Sequence, residues 1–234
     1  MSDYYYQNNS SGSGFLSNIP VVTKNLIFIN IIMFLATLIN QDMMVSNFAL
    51  FYPSSPFFRW WQIITHMFMH GGFWHLFFNM YSLLIFGSVV ERMIGQKKFL
   101  IFFFVCGLGA VALHLGVEFL QAQSYISAMG RGDSGAMALY SALKMTPTLG
   151  ASGAIYGILI AYAMIFPESK MTLLFPPVTL SAKWMVVVFG CIELVTGVSG
   201  VASGVAHFAH LGGMLFGWLL IRYWRNKRTL YDRY

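Results

Sequence analysis

The sequence predicts an all-α polytopic membrane protein, a bundle of six transmembrane helices, and three observations lead there. Of 234 residues, 57% are hydrophobic and 9% are charged, with a mean hydropathy of +0.65; about a quarter of the residues of a soluble domain carry charge. Apolar residues gather in six runs near the length a bilayer requires. Lys and Arg crowd the ends of those runs that share one side. Twenty-two Phe, fifteen Met and twelve Tyr exceed what one water-soluble core of this size hides without leaving large apolar patches in water.

Residues 1–18 are rich in Tyr, Ser, Asn and Gly with one charge, Asp3, and read as a flexible tail without the basic start of a signal peptide. A helix needs about 20 mostly apolar residues to cross roughly 30 Å of hydrocarbon. Six segments qualify: 25–40, 72–93, 99–118, 150–166, 182–198 and 204–223. The fifth is interrupted by Glu193, and Gly197, Gly200 and Gly204 blur its end. Two long connections remain, 41–71 with its aromatics and prolines, and 119–149, polar with several Gly and Ser. The membrane domain therefore spans 19–223, and 224–234 is a short basic tail.

An even number of spans puts both termini on one side. Lys24, Arg92, Lys97, Lys98, Lys170, Lys183, Arg222, Arg225, Lys227, Arg228 and Arg233 fall there, against Arg59, Arg131 and Lys144 opposite. Basic residues mark the cytoplasmic side, so both termini are expected in the cytoplasm and the two long loops outside. The same placement argues against nucleic acid as the partner of a chain with net charge +6. Cys106 and Cys191 lie inside apolar runs and read as embedded thiols, not a bridge.

Polar side chains inside the bilayer are costly and mark function. At the start of the second span, His75 and Asn79 stand at i and i+4 on one face. The fourth span opens Gly150-Ala151-Ser152-Gly153, with Tyr156 on the face of Ser152 and with Gly153 and Gly157 forming a ridge of small residues. A serine flanked by glycines is an accessible nucleophile candidate, and near a helix start it has free backbone N–H groups beside it. In the sixth span His210, Gly213 and Gly217 share one stripe. Two glycine ridges brought together let a serine hydroxyl reach a histidine ring. Each piece also has a plainer reading: helix packing for the glycines, back-bonding for Ser152, a core role for Asn79 and Tyr156. His207 is a second candidate base. His66 with His70, and His207 with His210, have metal-ligand spacing, although no His-Glu-x-x-His zinc motif is present.

Gly150-x-Ser152-Gly153 with Tyr156, Ala209-His210-x-x-Gly213-x-x-x-Gly217, and His70-x-x-x-x-His75-x-x-x-Asn79 together resemble the rhomboid family of intramembrane serine proteases. The resemblance covers roughly residues 20–223. It implies a Ser152–His210 dyad without a third carboxylate, with no cofactor and no metal. It implies that His75, Asn79 and the Ser152 amide hold the oxyanion, each such donor being worth about 2.7–4 kcal/mol of barrier. Tyr156 would pack beneath His210, Gly150 would shape the wall beside the oxyanion, and His70 would brace the outer helix ends. The implied partners are single-span membrane-protein substrates in the bilayer of a bacterial plasma (inner) membrane. A non-catalytic relative that binds membrane proteins usually lacks the serine or the histidine, and this chain retains both. Glu193 reads as sitting nearer the middle or inner half of its span, so no acid is expected to orient His210. The family's first loop commonly carries a Trp-Arg pair, whereas here Trp61 is followed by Gln62.

Overall fold

The structure, a computed structural model, describes residues 15–173, 177–199 and 206–231. Most of the expected N-terminal tail (1–14), residues 232–234, and Gly200 and Gly204 lie outside the described residues.

After a 3-10 turn, Phe15–Asn18, helix α1 (Val21–Ile39) begins behind Pro20, whose side chain offers no cap. Another helix supplies one. The buried Glu91 carboxylate accepts the backbone N–H groups of Val22 at 3.0 Å and Thr23 at 2.7 Å, placing a negative charge on the positive end of α1. One face of α1 buries Leu26, Asn30, Phe34 and Thr37, while Ile32, Leu35, Leu38 and Ile39 are exposed. A helix apolar on its outward face is suited to lipid.

The connection 41–71 is folded. It contains α2 (Gln41–Phe48), α3 (Gln62–Thr65) and a 3-10 turn, His66–Phe68. The fully buried Gln62 holds it together: Nε2 donates to Ser46 O at 3.0 Å and Phe57 O at 2.9 Å, and Oε1 accepts from Arg59 N at 3.0 Å. Trp61 Nε1 adds a bond to Asn47 O at 2.8 Å. Gln62, the residue after Trp61, thus anchors this loop through its amide.

Helices α4 (Phe73–Ser82) and α5 (Ser88–Ile94) are joined by a π turn, Leu83–Gly87, into one rod. Helix α6 (Gln96–Gly130) has 35 residues and runs far past the expected end at 118. At 1.5 Å per residue it is about 52 Å long, some 20 Å beyond a hydrocarbon core. It turns at Gly132 and Asp133, whose side chain caps α7 (Ser134–Met145) by accepting from Gly135 N at 2.9 Å. The connection expected over 119–149 is therefore largely a helical hairpin. Polarity rises after Glu118 and ends the apolar run, but Leu, Gln, Ala and Met continue a helix readily.

Helix α8 (Ser152–Ile165) follows, then an antiparallel pair, β1 (Lys170–Thr172) with β2 (Thr179–Ser181), which aligns Lys170 with Ser181. Helices α9 (Ala182–Ser199) and α10 (His207–Asn226) complete the chain. The last runs past the expected boundary at 223, and Trp224 and Leu230 are buried against the bundle.

Four helices among the described residues are long and apolar enough to cross a membrane: α1, the α4–α5 rod (Phe73–Ile94), α6 and α9. The other two expected spans correspond to α8, with 14 residues, and α10, whose last turns carry Arg222 and Arg225. Helix α8 is the centre of the bundle. Its buried residues, among them Gly153, Ala154, Gly157, Ile158 and Ala161, point in all directions, so neighbours surround it.

Candidate active site

The segment leading into α8 is held from the first loop. Leu50 and Thr148 exchange backbone hydrogen bonds at 2.9 and 2.7 Å, and Gly150 N donates to His66 O at 2.9 Å. Gly150 has φ of +130°, a region that L side chains avoid. A Cβ there would lie 2.9 Å from His75 Cε1 and Nε2 and 3.6 Å from Ser152 Oγ. Glycine therefore makes the turn and admits the His75 ring beside Ser152.

Ser152 is the first residue of α8, and Ser152 Oγ lies 2.8 Å from His210 Nε2 in the first turn of α10. The glycine seam makes this approach possible. A Cβ on Gly213 would meet Gly153 O at 1.8 Å, and one on Gly217 would meet Gly157 Cα at 2.9 Å. The two backbones thus touch without intervening side chains, as the matching stripes predict. Tyr156, one turn after Ser152, stacks on His210 with ring centroids 4.3 Å apart and planes within 6°. The packing holds the imidazole in a plane from which Nε2 meets the hydroxyl.

On the other side, His70 packs edge-on against His75 with centroids 4.9 Å apart. His70 is buried, and burial holds it neutral by lowering its pKa to about 3. His66 is likewise kept neutral by burial, at about 4, and Nδ1 donates to Gln62 O at 2.9 Å. Asn79 is buried one turn below His75 and gives one amide hydrogen to His75 O at 3.0 Å, leaving its second for another acceptor.

The expectation that no acid reaches His210 is overturned. Glu193 Oε1 lies 2.9 Å from His210 Nδ1 and accepts the Tyr156 hydroxyl; Oε2 lies 2.6 Å from His207 Nδ1. The depth assigned from the sequence was in error. Glu193 is the twelfth of the eighteen residues of α9, which leads towards the end of the bundle where α10 begins, so it stands in the half that meets His210. The signal was present: a carboxylate inside an apolar run needs donors, and the next span begins with two histidines. His207 faces this acid, not Ser152, and His210 is the ring that lies beside the hydroxyl. The three groups place ligand-type atoms within 4.8 Å of one another, a spacing shared by cation sites and hydrogen-bonded clusters. His114 has a separate position, with Nε2 2.8 Å from Thr148 Oγ1 and 3.3 Å from Glu118 Oε1, tying α6 to the approach to Gly150.

Comparisons with known proteins identify the family. The rhomboid domain family model matches residues 58–227. The chain is similar to the rhomboid protease AarA of Providencia stuartii, 26% identical over 208 residues, covering 85% of this chain and 70% of that protein. It is similar to the mitochondrial presenilin-associated rhomboid-like protein of Homo sapiens, 30% identical over 174 residues, covering 72% of this chain and 40% of that protein. The mitochondrial rhomboid protein 1 of Saccharomyces cerevisiae (strain ATCC 204508 / S288c) is 27% identical over 170 residues, covering 68% of this chain and 41% of that protein. The chain thus spans well under half the length of these two mitochondrial relatives. With the family domain matched over most of its length, this multi-pass integral membrane protein belongs to the rhomboid family.

Proposed function

We propose that the protein is an intramembrane serine endopeptidase that hydrolyses peptide bonds in or near the outer ends of transmembrane segments, with single-span membrane proteins as substrates. The observation that carries this reading is the 2.8 Å contact between Ser152 Oγ and His210 Nε2 at the start of the central helix. Helix α8 has 14 residues. At 1.5 Å each it is about 21 Å long, so it leaves roughly 9 Å of hydrocarbon thickness unspanned and sinks Ser152 below the bilayer surface. A substrate segment unwinding there exposes carbonyls that an intact helix keeps hydrogen-bonded.

His210 Nε2 takes the hydroxyl proton as Ser152 Oγ bonds to the scissile carbonyl carbon and the carbonyl electron pair moves onto oxygen. The first-turn N–H of Ser152, which has no acceptor within its helix, points to that oxygen together with donors from His75 and Asn79. Collapse expels the amine, which receives the proton from Nε2. Water then attacks the acyl-serine with the same histidine as base. Tyr156 holds the imidazole plane, Gly150, Gly153, Gly213 and Gly217 permit the close approach, and His70 braces His75. The charge asymmetry of the loops supports cytoplasmic termini, with the site opening outward from a bacterial plasma membrane.

The test is cleavage of a single-span model substrate by detergent-solubilised or reconstituted protein. Ser152→Ala is expected to abolish cleavage, and a fluorophosphonate is expected to label Ser152 in the wild type but not in His210→Ala. Cleavage that survives Ser152→Ala removes the proposal. A wild type that neither cleaves nor labels identifies a binding protein instead.

A further inference from the structure

We propose that Glu193 is the positioning residue for His210, so that this site works as a hydroxyl–imidazole–carboxylate line in place of the two-residue arrangement its motifs imply. The inference rests on the protease reading of the same site. Three side chains converge on one buried carboxylate from two helices. Tyr156 on α8 gives its hydroxyl to Oε1, His210 Nδ1 lies 2.9 Å from the same oxygen, and His207 Nδ1 lies 2.6 Å from Oε2. An ionised carboxylate only accepts, so each facing Nδ1 carries the proton, and that tautomer leaves His210 Nε2 free to take the Ser152 proton. The approach of His210 Nδ1–H to Oε1 is oblique. Resting-state catalytic contacts are often poorly aligned and tighten as charge develops.

During acylation the Ser152 proton passes to Nε2 as Oγ bonds to carbon, and the imidazole becomes an imidazolium. Glu193 stays ionised and balances that charge at Nδ1–H. When the C–N bond breaks, the proton leaves Nε2 for the amine and the imidazole is neutral again. The groups facing His210 are Glu193 from α9, Tyr156 from α8, His75 from α4 and His207 on α10 itself. Helix α6 meets the next turn of α10 with Gly109, Ala110 and Leu113, none of which titrates. Glu193 is the one anion in this set. Thr196 Oγ1, 3.1 Å from His207 Nδ1 and donating to Ile192 O at 2.7 Å, holds His207 against the acid.

The experiment measures kcat, KM and the pH dependence of kcat/KM for wild type, Glu193→Gln and Glu193→Asp, using the single-span model substrate and fluorophosphonate labelling of Ser152. Glu193→Gln keeps the size and one acceptor oxygen, but removes the charge and turns the other oxygen into a donor. It is expected to lower kcat about 10- to 100-fold with KM within about threefold. The acidic limb should move down by about one pH unit, because the imidazolium loses its anionic neighbour. Glu193→Asp should recover part of kcat and return the limb towards wild type. A Glu193→Gln enzyme within about threefold of wild type overturns the proposal, as does a rate loss with the limb unmoved, which is what a packing role produces. If Glu193→Gln does not give a monodisperse, cooperatively unfolding protein, the kcat of Glu193→Asp decides: lowered more than about threefold with KM unchanged and the limb near wild type supports the proposal, and a kcat within about threefold of wild type overturns it. A wild type without cleavage or labelling removes the protease reading and this inference together, whereas an active wild type with an indifferent Glu193→Gln removes the inference alone.

Discussion

Gly213→Ala tests the seam on which the site depends. The added methyl carbon would lie 1.8 Å from Gly153 O and 2.7 Å from Gly153 C. Both are backbone atoms, so no side chain can rotate away, and α8 and α10 themselves must separate. Cβ contacts below 3.0 Å are essentially never found, so the contact to Gly153 O has to lengthen by at least 1.2 Å. Carried along the line between Ser152 Oγ and His210 Nε2, that separation opens 2.8 Å to about 4.0 Å, beyond hydrogen-bonding range. A displacement of this size costs on the order of 100-fold in rate. Overpacking of the seam should also cost about 1–3 kcal/mol of stability. The assay is cleavage of a single-span substrate with Ser152 labelling in parallel, and Gly116→Ala is the control because a Cβ there meets nothing within 4 Å. Gly213→Ala retaining more than about half of the wild-type kcat and labelling rate would refute the argument that this contact sets the Ser152–His210 distance.

Two further expectations concern the first loop. Gln62→Ala strands the Ser46 and Phe57 carbonyls and the Arg59 N–H in a buried setting. It should cost about 2–3 kcal/mol, read as a fall in Tm by differential scanning fluorimetry; an unchanged Tm shows that another contact holds the loop. Stability should also decline as pH falls from about 6.5 to 5. His66 and His70, held at about 4 and about 3 by burial, stay neutral in the folded protein while their unfolded counterparts take up protons. A folded value below the unfolded one means that the unfolded state binds more protons in this window. Each histidine then removes up to about 2 kcal/mol by pH 5. Unfolding midpoints at pH 7 and pH 5 measure this, and a flat profile contradicts the burial of these rings.

Composition and spacing made the membrane class legible, because lipid imposes length and apolarity directly on the chain. They also identified both halves of the seam. Glycines at i and i+4 beside Ser152, and at i+3 and i+7 from His210, are a one-dimensional record of a close helix contact. Apolar runs were less informative about helix ends. The end of α6 lies beyond Glu118, where the membrane requirement stops but helix propensity does not. The loop anchor at Gln62 was equally illegible, since its partners Ser46 and Phe57 are backbone carbonyls, which carry no sequence signature.

What the sequence by itself determined, then, is a lipid-facing helical bundle and the identity of the two groups that meet across its glycine seam. Only the tertiary structure decided that Glu193 joins them. Its reach depends on the angle and depth at which α9 lies against α10, and a side chain several ångströms long converts a shift of one helical turn into contact or isolation. Spacing along one helix says which residues share a face; it does not say which face of a neighbouring helix will lie opposite, because that is fixed by the packing of all the helices at once.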